Sequence, residues 1–235
     1  MPKINALDRG QSQQRDNLNH QAIEDYVKTI YALAQEESPV STSRVAVARS
    51  VKPASATNMI QRLAKLKLVD YEKHYGVTLT EAGEKLALEV IRHHRLLELY
   101  LMEALGFSWD EVHEQADILE HVISEKLEER IAAVLNHPEF DPHGDPIPAA
   151  DGTMAVTTTT ALSEVAAGKR AKVARVLDDS DSALLRYLAE LGLVPGAAVL
   201  MVEVAPFFGP LSIEVDGMPH VIGRNLAELI LVEKE

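Results

Sequence analysis

His113, Asp117, Glu120 and His121 stand at i, i+4, i+7 and i+8, so on one helix all four project to one side. Upstream, His94 and Glu98 repeat the i, i+4 spacing. Imidazole and carboxylate are ligands of divalent transition metals, and two antiparallel helices facing each other can join such groups into one or two sites. With no Cys in the chain, thiolate zinc sites, iron–sulfur clusters, disulfide frameworks and cysteine nucleophiles are all excluded. Any metal is therefore held by oxygen and imidazole nitrogen. His113 is followed by Glu114, but position 117 is Asp rather than His, so the zinc-protease pattern is absent. Neither helix offers the Glu-x-x-His spacing of a ferritin-like di-iron centre. There is no Gly-rich phosphate loop and no Gly-x-Ser-x-Gly elbow, and nothing argues for an enzyme. The remaining histidines, His20, His74, His93, His137, His143 and His220, fall near helix ends, in turns or in a linker and read as structural. Trp109 and Phe207-Phe208 read as packing groups.

A second constellation has a different chemistry. Ser55, Thr57, Asn58, Gln61 and Arg62 share one expected helix with Lys65 and Lys67, short polar and basic groups of the kind that read base edges and phosphates. Thr42, at the start of the preceding helix, is counted with them. The chain as a whole carries 23 Lys and Arg against 36 Asp and Glu, a net charge of −13, which argues against a simple basic nucleic-acid coat. The distribution reverses this locally, because Ser41 to Tyr75 holds seven cations against two anions.

The elements that must position these groups follow from periodicity. At 235 residues, with 46% hydrophobic and 25% charged residues, the chain is ordinary globular material for several small domains. Residues 1–18 are polar and without period, and read as a flexible tail. From 19 to 80, Ile23, Val27 and Ile30 mark a first helix, and Ser41 or Thr42 caps a short second one. A third helix follows from about Ala54 to Lys67, and two short strands flank His74-Tyr75-Gly76, which completes a winged helix-turn-helix. Residues 81–137 hold two long helices, the first ending at Gly106 and the second running from a capping box at Ser108 to about Leu135. Residues 138–156 are rich in proline and read as a linker, and 157–235 change to short strands that fit a small β-barrel interrupted by a helix at Asp181 to Leu191. The fold class expected is mainly α with a C-terminal β-barrel. No apolar run long enough to span a membrane and no apolar signal core occur, so a cytoplasmic protein is expected.

This sequence resembles the DtxR/MntR metal-dependent transcriptional repressors over about residues 20 to 235. The most specific matches are Glu24-Asp25-Tyr26 through Thr29-Ile30-Tyr31, His94-Arg95-Leu96, Glu120-His121-Val122 and Gly144-Asp145-Pro146-Ile147-Pro148. The last domain, including Leu193-Val194-Pro195-Gly196, is similar to the SH3-like (FeoA-like) domain of the longer, iron-type members. The resemblance implies a helical metal-binding and dimerisation domain, a primary site of Asp25, Asp117, Glu120 and His121, and an ancillary site of His94, Glu98 and His113 that Asp181 completes. Iron-type members carry Met and Cys where this chain has Asp25 and Asp117, and carboxylate in place of sulfur favours harder ions. Manganese(II) is thus the favoured ion, with iron(II) the alternative and other divalent transition metals accepted in vitro. Lys28 stands where manganese-type members supply another carboxylate, and Leu184 where an amide ligand falls.

The function implied is a manganese-responsive DNA-binding regulator that represses metal-uptake genes. It acts as a homodimer on palindromic double-stranded DNA, its recognition helices about 34 Å apart. A second reading is a metal-binding or storage helical protein without DNA affinity, against which the basic stretch from Arg44 to Lys73 argues.

Overall fold

The computed structural model describes residues 6–234, with side chains from residue 19 onward. It comprises two compact units, Met1–Ile91 and Arg92–Glu235, the division falling within one helix. In the first unit, α1 (Ala6–Ala34), α2 (Thr42–Ala48) and α3 (Pro53–Lys65) precede a hairpin of β1 (Val69–Glu72) and β2 (Gly76–Leu79). Helix α1 buries Ile23, Val27 and Ile30 at helical spacing, and α3 buries Ala56, Ile60 and Leu63 against the same core. Full burial of each larger side chain contributes about 2 kcal/mol. The Ser41 hydroxyl accepts from Arg44 N at 3.3 Å and caps α2, while Pro53 opens α3 where a missing N–H costs nothing. The hairpin pairs Val69 with Leu79 and Glu72 with Gly76, and a bridge from Val40 to Val77 anchors it to the chain before α2.

Helix α1 begins at Ala6, within the stretch expected to be a tail; residues 1–5 of that tail lie outside the described residues. The segment has no apolar period, but its Gln, Arg, Leu and Ala are good helix formers. A helix already fixed by the packing of Ile23 to Ile30 needs no new nucleus to extend.

The second unit opens with the later part of α4 (Glu81–Leu105), followed by α5 (Val112–Leu119) and α6 (Glu125–Val134). One continuous helix was expected from Ser108 to Leu135, and the structure instead breaks it between α5 and α6. Ser124 takes an extended conformation (φ −94°, ψ 149°) and its hydroxyl accepts from Leu127 N, so a new cap starts α6 directly after the β-branched pair Val122-Ile123. The Ser108 hydroxyl does donate to Glu111, at 2.6 Å, but this closes a turn ahead of α5. Residues 138–156, expected as a linker, are in part interior: Asp141, His143, Asp145 and Ile147 are buried. Arg95 donates to Asp145 and to the Pro146 carbonyl, each at 2.6 Å, Arg175 reaches Asp145, and Arg92 holds the Pro148 carbonyl. Proline and glycine signalled irregular backbone there, and the arginines satisfy the polar groups that make such backbone costly to bury.

The C-terminal part is a six-stranded antiparallel sheet in the order β3-β8-β4-β5-β6-β7, made of β3 (Thr160–Ala161), β4 (Arg170–Val176), β5 (Ala198–Val204), β6 (Leu211–Val215), β7 (Met218–Ile222) and β8 (Ile230–Lys234). Helices α7 (Ser182–Glu190) and α8 (Arg224–Glu228) accompany it, with Leu185, Leu188 and Ala227 in a core shared with Val173, Met201, Ile213 and Val232. The sheet is not the closed barrel expected, since β3 and β7 are edges. Strand β7 holds Pro219, and an edge strand is where proline is tolerated. Trp109 packs against this core as anticipated, whereas Phe207 and Phe208, expected to pack as well, are 97% and 86% exposed. Among the described residues, no helix is long and apolar enough to cross a membrane.

Candidate metal centre and nucleic-acid interface

Helix α4 points His94 and Glu98 into the interior of the second unit, both nearly or fully buried. His94 Nε2 lies 2.9 Å from Glu98 Oε1, and its Nδ1 lies 2.5 Å from Glu120 Oε2 and 3.4 Å from Asp117 Oδ1. His113, from α5, brings Nδ1 to 3.2 Å from Glu98 Oε1 and 3.2 Å from His94 Nε2. Glu120 is the C-cap immediately after α5, and His121 follows with Nε2 3.5 Å from Glu120 Oε1. The break after α5 thus leaves the expected set His94, Glu98, His113, Asp117, Glu120 and His121 gathered, with Asp117 the exposed member. The apolar residues Ile118 and Val122 of the same segment are exposed.

Two residues read as structural or as linker belong to this cluster. His143 is fully buried, donates from Nε2 to the Trp109 carbonyl at 2.8 Å, and turns Nδ1 to 3.7 Å from Glu98 Oε2. Asp141 accepts on Oδ1 from the backbone N–H groups of His143 and Asp145, while Oδ2 has no hydrogen bond and lies 3.6 Å from Arg95 Nε. Glu98 Oε2, Asp141 Oδ2 and His143 Nδ1 are all buried without a hydrogen-bond partner, and donor atoms of the three residues lie within 4.8 Å of one another. Buried polar atoms left without a hydrogen bond are rare and expensive, and their convergence suits a cation that satisfies all three residues at once. An imidazole whose far N–H is fixed by a carbonyl is the usual posture of a metal ligand. Asp141-x-His143 beside a Gly-Asp-Pro turn was the available sequence signal, overlooked because the segment reads as linker.

The electrostatics agree. Burial works against the Glu98 carboxylate, but His94, His113 and His143 around it override that and hold it well below the usual range. For Asp141, burial and the charges of Glu98 and Asp145 push the carboxyl up to about 8. Burial opposes the His143 imidazolium, yet its contact with Glu98 pushes it up to about 9. Asp181 is not part of the cluster: its carboxylate accepts from Ala183 N and Leu184 N at 2.9 and 3.1 Å, because it caps α7. Asp179 does approach the cluster, with Oδ2 3.9 Å from His113 Nδ1.

In the first unit, Asp25 lies on α1, and its Oδ2 accepts from Arg49 Nη2 at 2.6 Å. On α3, Ser55, Asn58 and Gln61 are exposed, while Thr57 and Arg62 are half-buried, as is Thr42 at the start of α2. Thr57 donates to the Pro53 carbonyl, and Arg62 to the Asn19 side chain. Arg44 is engaged by Glu36 and Glu37. The basic surface therefore falls to Lys52, Lys65, Lys67 and Lys73, all exposed.

Three family models cover nearly all of this chain: the iron dependent repressor N-terminal DNA binding domain over residues 20–77, the iron dependent repressor metal binding and dimerisation domain over 80–149, and the FeoA domain over 160–234. The iron-dependent repressor IdeR of Mycobacterium tuberculosis is 33% identical over 225 residues, 90% of this chain and 96% of that protein. A solved manganese-dependent transcriptional repressor in complex with manganese is 38% identical, with a TM-score of 0.82 over 90% of this chain and 99% of that one. The repressor ScaR with bound zinc is 33% identical, with a TM-score of 0.75 over 91% and 99%. Domain by domain and along its length, the chain belongs to the iron-dependent repressor family, the metal-dependent DNA-binding transcriptional repressors that include IdeR, DtxR and MntR.

Proposed function

We propose that this chain is a manganese-responsive repressor that, with the ion bound, occupies a palindromic operator as a cytoplasmic homodimer and shuts down metal-uptake genes. The observation that carries this reading is the convergence of the orphan atoms of Glu98, Asp141 and His143 beside His94, His113, Asp117, Glu120 and His121. This set is all oxygen and imidazole nitrogen, which suits manganese(II) and iron(II) over ions that prefer sulfur. Two groupings would hold an ion: Glu98, Asp141 and His143 with His113 and Asp179 at their margin, and Asp117, Glu120 and His121 with Asp25. Asp25 is retained from the resemblance of Glu24-Asp25-Tyr26. The bound ion supplies positive charge that offsets carboxylate repulsion. Asp25 on α1 would make that gain depend on where the DNA-binding head sits, so metal and DNA bind cooperatively. Such a shift from mostly incompetent to mostly competent requires roughly 5 kcal/mol of differential affinity. The exposed apolar residues Leu105, Ile118, Val122 and Leu127 support a dimer face on the second unit.

The test passes the protein over a random duplex DNA pool with excess manganese or with chelator. Manganese-dependent enrichment of a palindrome is expected from the wild type. Asp25→Ala should lose that enrichment with its thermal unfolding unchanged. Equal retention with and without chelator would refute the metal response, and uptake of manganese without DNA retention would favour a storage protein.

A further inference from the structure

Asp25 is held by a cation of the chain itself. Arg49 ends α2, the first helix of the helix-turn-helix, and donates from Nη2 to Asp25 Oδ2 at 2.6 Å. Its guanidinium lies 5.7 Å from the centre of the Tyr26 ring, over the residue next to Asp25 on α1. Arg49 Nε is buried without a hydrogen-bond partner, so the head group is fixed by Asp25 and the Tyr26 ring rather than by a full set of acceptors. Both side chains of the ion pair are partly screened from water, at 32% and 22% exposure, where opposite charges in contact matter more than on an open surface. Of the three engaged arginines of the basic stretch, Arg49 alone pairs with a residue assigned to the metal: Arg44 meets Glu36 and Glu37, and Arg62 meets Asn19.

We infer that Arg49 sets the metal affinity by competing with the divalent ion for the Asp25 carboxylate. The inference rests on the reading of Asp25 as a ligand. A guanidinium in contact neutralises the charge that attracts a second cation and occupies one of the two carboxylate oxygens, so every ion that engages Asp25 does so against it. Because α2 carries Arg49 and α1 carries Asp25, the competition is local to the head and is present whether or not DNA is bound. It tunes the response to a higher threshold of free metal than the carboxylates alone would give.

Manganese titrations of the full chain, followed by the electron paramagnetic resonance of free manganese(II), test this on wild type, Arg49→Gln, Arg49→Lys, Asp25→Ala and the Asp25→Ala/Arg49→Gln double variant. Arg49→Gln should bind the Asp25-dependent ion about tenfold more tightly, a coupling in the ordinary range for linked sites. Arg49→Lys, which keeps the charge, should stay near wild type. In the Asp25→Ala background, Arg49→Gln should bring no gain, since the competition needs the carboxylate. Unchanged or weaker binding by Arg49→Gln, or a gain that persists without Asp25, overturns the competition. If wild type and Asp25→Ala bind alike, Asp25 is no ligand, and the inference falls with that assignment. Circular-dichroism melting accompanies each titration, and should Arg49→Gln fail to fold, Arg49→Met takes its place with the same expectation.

Discussion

Loading the Glu98, Asp141 and His143 cluster with a divalent ion should expel about two protons at pH 7. In the metal-free protein Asp141 is pushed up to about 8 and His143 to about 9, so near neutrality both hold a proton, whereas Glu98 is already ionised. A metal takes carboxylate and neutral imidazole only, so both protons must leave. Unperturbed groups would release about a quarter of a proton, almost all of it from histidine near 6.5. The logarithm of the affinity should therefore climb by about two per pH unit between pH 6.5 and 7.5, ease toward one between 8 and 9, and flatten above. The same protons set the stability of the apo protein. A raised imidazolium stabilises fully below about 6.5 and that contribution, about 3 kcal/mol for His143, disappears as pH rises through 9. The raised Asp141 carboxyl acts in the same direction, with a penalty that grows from its unfolded value near 4 up to about 8. The apo protein thus weakens toward alkaline pH and excess manganese rescues it. Calorimetry in two buffers of different ionisation enthalpy at one pH counts the protons, and a slope below about one half over pH 6.5–7.5 would falsify the assignment of these residues as ligands.

Two further perturbations address the scaffold and the DNA face. At Gly144 the backbone takes φ +87° and an added Cβ would sit 1.9 Å from the Ala174 carbonyl oxygen, so Gly144→Ala should cost about 3 kcal/mol or more in thermal unfolding and weaken metal binding through Asp141 and His143, which precede it in the same turn. On α3, Gln61→Ala should relax sequence preference at one operator position by about 1–3 kcal/mol, whereas Lys65→Ala should lower affinity for all sequences and reduce the salt slope by about one. Binding of a randomised operator set at two salt concentrations separates these, and identical profiles for the two variants would remove α3 from the interface.

Where the sequence was legible, one residue type at one spacing admitted one structure. Ile23, Val27 and Ile30 on α1, and Ala56, Ile60 and Leu63 on α3, leave no other face to bury, and the helix-turn-helix follows. His94 and Glu98 are one turn apart on α4, so their common direction is a property of the helix. What was not legible depends on distant partners. The α5–α6 break needs Ser124 as a cap, yet helix periodicity carries straight through Val122 and Ile123, and only the tertiary packing decides between one helix and two. Asp141 and His143 sit in a segment whose composition says loop, and composition says nothing of whether a loop is solvated. Burial came from Arg92, Arg95 and Arg175, three residues far away in sequence that neutralise Asp145 and bond the Pro146 and Pro148 carbonyls. Asp181 failed for the reverse reason: a carboxylate ahead of a helix caps that helix first, and its two backbone donors leave little for a metal. Candidate ligands on regular helices can thus be read from spacing, whereas candidates on loops are read from which buried polar atoms are left without a hydrogen bond.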